Sequence, residues 1–231
     1  MTKEMLTNEL NRYAKQIILH ILRDYQDSLG LENEKRLRDL LSEDFVVLEE
    51  NEKPVNDGKV HIFLNKEDLM GLSLEEMEQE IKKNILVREI FRYIITPKIS
   101  EKKSEKEEEF SENLTEGLVE KYALDFSLRH DLGIPKTKNE QNILLATKLL
   151  EGIPNEISKD ALFFQYQYPF MLDYYRLGTG KDLFEEYQNK PLENQRILKR
   201  EITNQEGFLK GSLIIVSCIA LGAFLAYLLI R

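Results

Sequence analysis

Two short strings in this chain have the residue types and spacing for site chemistry. The first is Ile85-Leu-Val-Arg-Glu-Ile-Phe-Arg-Tyr-Ile-Ile-Thr-Pro97, where Arg88, Glu89 and Arg92 interrupt an apolar run. On a helix, Arg88 and Arg92 are i,i+4 neighbours on one face, with Glu89 beside them. A carboxylate in that setting can accept a proton or pair with a cation. Buried arginine is costly unless paired, and like charges at this spacing repel by a few tenths of a kcal/mol. The string therefore calls for carboxylate partners elsewhere in the chain. The second string, Asn113-Leu-Thr-Glu-Gly-Leu-Val-Glu120, supplies candidates in Glu116 and Glu120, one helical turn apart.

Other site chemistries find little material. Three histidines, His20, His61 and His130, are scattered along 231 residues. The one cysteine, Cys218, excludes an intrachain disulfide, a thiolate zinc cluster and a C-x-x-C redox centre. No G-x-S-x-G string or Gly-rich phosphate loop is present. Gly178-Thr-Gly180-Lys181 lacks the spacing of a P-loop and reads as a helix–helix turn. The net charge of −9 and a pI near 5.1 argue against a nucleic-acid surface.

The Arg88-Glu89-x-x-Arg92 string in its apolar helix resembles the active-site helix of zincin metallopeptidases. There H-E-x-x-H places two zinc ligands i,i+4 and a Glu that activates water. The resemblance makes Glu89 the vestigial general-base position and Arg88 and Arg92 the vestigial ligand positions. The run HIFLN, ending at Asn65, looks like the strand that borders a zincin substrate cleft. Asn113–Glu120 is similar to the N-E-G-x-x-E segment of the gluzincin branch. By that resemblance Glu116 falls at the third-ligand position and Glu120 at the supporting carboxylate behind it. The likeness covers about residues 44–130. Both histidine positions hold arginine, which has no available lone pair and cannot ligate zinc. The resemblance thus implies a gluzincin-like domain without its metal. No cofactor is expected, with zinc only in the case of an active enzyme.

Periodicity gives the elements around these residues. Residues 3–28 read as an amphipathic helix, with Leu6, Leu10, Tyr13, Ile17, Ile18 and Ile21 at helical spacing. Residues 32–42 read as a second helix. Asp44–Glu49 and Lys59–Leu64 read as strands, paired as a hairpin or as neighbours in a small sheet. Ser73–Ile95 reads as a long helix stopped by Pro97. On a 100° wheel Met77, Ile81, Ile85 and Ile95 share a stripe with Arg88 and Arg92. Residues 98–113 read as a mobile, charge-dense insertion. Helices come next at 114–130 and 139–151, then a kinked helix or a pair at 158–177, then a charged helical connector over 181–210.

Residues 211–230 contain no charged side chain. Twenty helical residues span about 30 Å, the thickness of a bilayer's hydrocarbon core. The run reads as a transmembrane tail anchor. Lys199, Arg200 and Lys210 precede it and only Arg231 comes after, so the positive-inside rule places the N-terminal domain in the cytoplasm. Cys218, Gly222 and Ala226 repeat at i,i+4, a spacing that allows self-association of the span.

The expected fold is α+β and mostly helical. N-terminal helices at 1–43 precede a zincin-like domain at 44–180, a connector at 181–210 and an anchor at 211–230. The expected function is binding of a protein or peptide partner by a membrane-tethered, catalytically inactive metallopeptidase-like domain, a pseudoenzyme. The alternatives are an active zinc metallopeptidase with a non-standard ligand set and a helical membrane scaffold unrelated to peptidases.

Overall fold

The structure, a computed structural model, describes residues 1–50, 58–64, 68–95, 104–133, 135–137 and 139–189. These lie within one compact unit, Met1–Pro191. The expected anchor at 211–230, with Cys218, Gly222 and Ala226, lies outside the described residues, as does the connector beyond Asn189. Among the described residues no helix is long and apolar enough to cross a membrane.

The chain opens with α1, Lys3–Asp24, which Thr2 caps by accepting a bond from the Met5 amide. Leu6, Leu10, Ala14, Ile17, Ile18 and Ile21 form its buried stripe. Asn11 interrupts that stripe for a structural reason. Its Oδ1 accepts from the amides of Phe45 and Val46 at 2.8 Å each, and its Nδ2 donates to Val46 O at 3.0 Å. One buried amide thereby fixes the start of the first strand on α1. The helix expected at 32–42 is α2, Gly30–Leu40.

β1 (Val46–Glu49) and β2 (Val60–Phe63) pair in parallel, Val46 opposite Val60. The hairpin alternative is therefore corrected to a small parallel sheet. Parallel neighbours cannot be joined by a tight turn, because the chain must return to the end from which it started.

The long helix is present in three parts: α3 (Leu74–Glu80), a π-helical turn (Ile81–Ile85) and α4 (Leu86–Ile94). Ser73 and Glu76 close a capping box at its start. A π turn holds an extra residue and rotates the downstream helix by about 100°. The single stripe drawn from Met77 through Ile95 is thus split. Met77 is only half-buried, while Leu86, Val87, Ile90, Phe91 and Ile94 cover α4 almost all round.

α5 runs from Glu105 to Arg129, longer than the helix expected at 114–130. Residues 104–113 are its cap and first turns, not a mobile insertion; residues 98–103 lie outside the described residues. Ser104 and Glu107 form a second capping box, glutamates occupy the first turn where the helix dipole favours them, and Phe110 is buried. α6 (Glu140–Gly152) lies across α5. The approach is so close at Gly117 that a Cβ there would come within 1.9 Å of the Asn142 carbonyl oxygen. The aromatic-rich stretch forms two helices, α7 (Lys159–Phe164) and α8 (Tyr168–Thr179), with Gly180 in the left-handed conformation closing α8. The short α9 (Leu183–Asn189) comes last. Tyr25, Phe91, Tyr122, Phe126, Phe163 and Phe164 make the aromatic centre, with the Tyr122 and Phe163 rings stacked at 3.7 Å.

Candidate functional site

α4 and α5 pack antiparallel. Ile95 lies with Thr115 and Leu118, while Phe91 one turn earlier meets Tyr122 and Phe126. This register brings the two chemistry-bearing strings together. Arg92 reaches across to Glu116 with both prongs of its guanidinium: Nε donates to Oε1 at 3.0 Å and Nη2 donates to Oε2. Its third nitrogen, Nη1, donates to Glu89 Oε2 on its own helix. Such fork-to-fork pairing is the strong form of the carboxylate–arginine bond. Burial alone would weaken the proton hold of Arg92, but the Glu116 and Glu89 carboxylates outweigh it and push its pKa above the ordinary arginine value.

Arg88 behaves differently. It is only 5% exposed, yet its Nε has no hydrogen-bond acceptor among the described residues. Its carboxylate neighbour is Glu89, with Nε 3.9 Å from Oε1. Glu120, one turn along α5 from Glu116, is 7% exposed. The Arg88–Glu89 approach is thus looser than the Arg92–Glu116 pair.

The histidines are placed elsewhere. His61 sits on the outer side of β2 and bonds Glu49 of β1, Nδ1 to Oε1 at 2.9 Å. His130 is the cap residue after α5 and bonds Asp24 of α1. Asn113, expected to start a helix, lies inside α5, where its side chain meets Asn142 and the Tyr187 hydroxyl. Among the described residues, no three His, Cys, Asp or Glu side chains converge as a metal-ligand set.

Beside the Arg92–Glu116 rung opens a cleft of about 900 Å³. Its walls are the first turns of α2, Gly58 and Lys59 ahead of β2, the end of α4, Thr115 and Glu116, and the corner Phe164–Gln167 between α7 and α8. Polar bonds hold these walls in register. Arg36 donates to the Tyr93 carbonyl at 3.4 Å and lies 5.0 Å from the centre of the Tyr93 ring. Asn33 donates to the Phe164 carbonyl. Tyr166 lines the cleft with φ of 48°, a left-handed conformation that costs a non-glycine residue about 1–3 kcal/mol and tends to occur at functional positions.

Arg36, Lys59, Tyr93 and Tyr166 carry no signal in the sequence that marks them for a site. Arg36 looks like any solvated residue of a charged helix, and the string Phe164-Gln-Tyr-Gln-Tyr168 contains no glycine to mark its left-handed corner. The cleft exists because α2 and the 164–167 corner, distant in sequence, meet the end of α4.

The residues define a mostly helical α+β domain whose cleft is flanked by an arginine–carboxylate rung. No protein-family model, no curated protein and no solved structure matches the chain.

Proposed function

We propose that this chain is a membrane-tethered, catalytically inactive metallopeptidase-like domain that binds a peptide or an extended segment of a partner protein in the cleft beside Arg92. One observation carries the reading. The Arg92 guanidinium occupies the place that the resemblance gives to a zinc ligand, and it joins Glu116 and Glu89 into a charge-paired rung at the edge of an open cleft. With two arginines in the ligand positions, positive charge comes from side chains instead of an ion. The cleft walls combine apolar surface, such as Leu31, with glutamine, tyrosine and charged groups, a mixture suited to peptide backbone and side chains together. The uncharged run at 211–230 supplies the proposed tether, and the basic residues before it give the cytoplasmic orientation.

The test is a peptide-library selection on the full-length chain, with zinc content and hydrolysis of the same library measured in parallel. Peptides should be selected that lose binding in Arg36→Ala and Tyr166→Ala variants, with neither stoichiometric zinc nor chelator-sensitive cleavage. Chelator-sensitive cleavage would favour an active peptidase. Selection indifferent to both cleft variants would favour a scaffold that uses another surface.

A further inference from the structure

On the far side of α5 from the first-turn carboxylates, the C-terminal ends of α1 and α5 meet through a cluster that the cleft does not use. Asp24, whose side chain is 10% exposed, stands at its centre. It accepts from His130 Nε2 at 2.6 Å, from Arg23 Nε at 3.1 Å and from Arg129 Nη1 at 3.4 Å. The His20 and His130 rings lie 4.4 Å apart, centre to centre. Arg23 Nη2 is 3.0 Å from His20 Nδ1.

These contacts fix protonation states. Arginine can only donate, so His20 Nδ1 must carry a lone pair and His20 must be neutral with its proton on Nε2. A carboxylate accepts, so His130 Nε2 carries a proton. In this state the cluster holds Arg23 and Arg129 against one carboxylate. A proton added to His20 removes the acceptor for Arg23. It also sets a cationic ring against the His130 ring, 4.4 Å away. Three cations, His20, Arg23 and Arg129, then stand around Asp24, which already accepts from His130. The other acidic groups nearby are engaged elsewhere: Asp125 takes a bond from Lys121 and Asp160 from the Tyr122 hydroxyl.

We propose that His20, Asp24 and His130 form a pH-sensitive latch that fastens the end of α1 to the end of α5 near neutral pH and releases it in mild acid. Burial, then His130 and Arg23, hold the His20 pKa below its ordinary value. A lowered histidine pKa means that the fastened state binds fewer protons than the open one. Its contribution is complete above about 6.5 and is lost as pH falls below that value. Asp24 leads into the Tyr25–Leu29 turn, where the Ser28 and Leu29 amides both bond Tyr25 O, and then into the first turn of α2 at the cleft rim. The latch is therefore placed to set the position of that rim. The proposal stands on the cluster geometry and does not depend on what the cleft binds.

Hydrogen exchange and histidine NMR on the full-length chain test it. Between pH 7.5 and pH 5.5, protection at the Ser28 and Leu29 amides should fall several-fold more than at Ala14 in the middle of α1. His20 should titrate below the ordinary histidine value. In His20→Gln, whose side-chain oxygen can still accept from Arg23 but cannot charge, the selective loss should disappear. In His20→Lys it should be present already at pH 7.5. Uniform protection across this range in the parent chain, or a selective loss that survives in His20→Gln, overturns the latch. So does a His20 titration at or above the ordinary value, a readout that needs no variant to fold.

Discussion

Arg92 on α4 and Glu116 on α5 meet fork to fork, with Arg92 Nε 3.0 Å from Glu116 Oε1 and Nη2 on Oε2, while the third nitrogen holds Glu89. The pair joins two helices whose strings lie 24 residues apart in sequence. One turn back, Arg88 is far more deeply buried, and among the described residues its carboxylate approach is the one to Glu89 at 3.9 Å. Two arginines of one motif therefore stand in opposite conditions, one well paired and half-exposed, the other buried and poorly bonded.

That difference separates their variants. The Arg92 side chain is 36% exposed and that of Glu116 42%, so solvent screens part of the interaction. Arg92→Ala should cost about 1–2 kcal/mol, between the values for surface and buried pairs. Arg88→Met, which keeps volume and removes a poorly bonded buried charge, should be neutral or stabilising. Arg88→Ala should cost about 2–3 kcal/mol through lost packing. Urea unfolding of the variants, with exposed Lys83→Ala as control, checks the order. A destabilising Arg88→Met would mean that Arg88 has stronger bonding than its geometry shows.

The metallopeptidase resemblance has its own test. If Arg88, Arg92 and Glu116 stand at three ligand positions, replacing both arginines by histidine recreates a His, His, Glu set. Arg88→His with Arg92→His should melt lower than the parent in chelator and recover several degrees with zinc, at one ion per chain. Histidine, unlike arginine, offers a lone pair to the metal. A double variant that folds yet takes up no zinc sinks the resemblance and leaves the cleft as an unrelated binding site.

Gly117 sets the distance between α5 and α6. A methyl at this position would meet the Asn142 carbonyl oxygen at 1.9 Å, and that contact is with backbone, which cannot swing away. Gly117→Ala should destabilise by about 2–3 kcal/mol despite the better helix propensity of alanine. Denaturation midpoints settle the sign. A more stable variant would show that the helices can separate at little cost.

Alkaline stability reports on Tyr25. Burial pushes its pKa up to about 12, Arg129 opposes this, and Asp160, Asp125 and Asp24 reinforce it. The unfolded value is about 10, so the folded state keeps its proton longer and holds more protons in this range. Stability contributed by the neutral phenol is complete below about pH 10 and is lost as pH rises toward 12, by about 1.4 kcal/mol per pH unit. Tyr25→Phe should unfold with a shallower loss over that window in pH-dependent urea titrations. An identical alkaline slope would assign the loss to other groups.

The local elements were legible in the residues themselves. The stripe from Leu6 to Ile21 and the apolar run Leu86–Ile94 act over a few helical turns, so their outcome is written in neighbouring residues. The need of Arg88 and Arg92 for carboxylates was legible too, since a guanidinium cannot shed its charge; of the candidates Glu116, Glu89 and Glu120, Arg92 takes the first two. The charge density of residues 104–113 pointed to a loop; the Ser104–Glu107 capping box, buried Phe110 and the anchored remainder of α5 made those turns helical. The parallel pairing of β1 and β2 came from the packing of the whole chain, because turn residues do not record where a strand returns. So did the phase break at Ile81–Ile85, a π turn with no residue signature, which split the apolar stripe. Packing also brought Asp24 to His130 and α2 to the Phe164–Gln167 corner. Those contacts join residues more than a hundred positions apart, and their geometry is set by how whole helices pack, not by the period of any one of them.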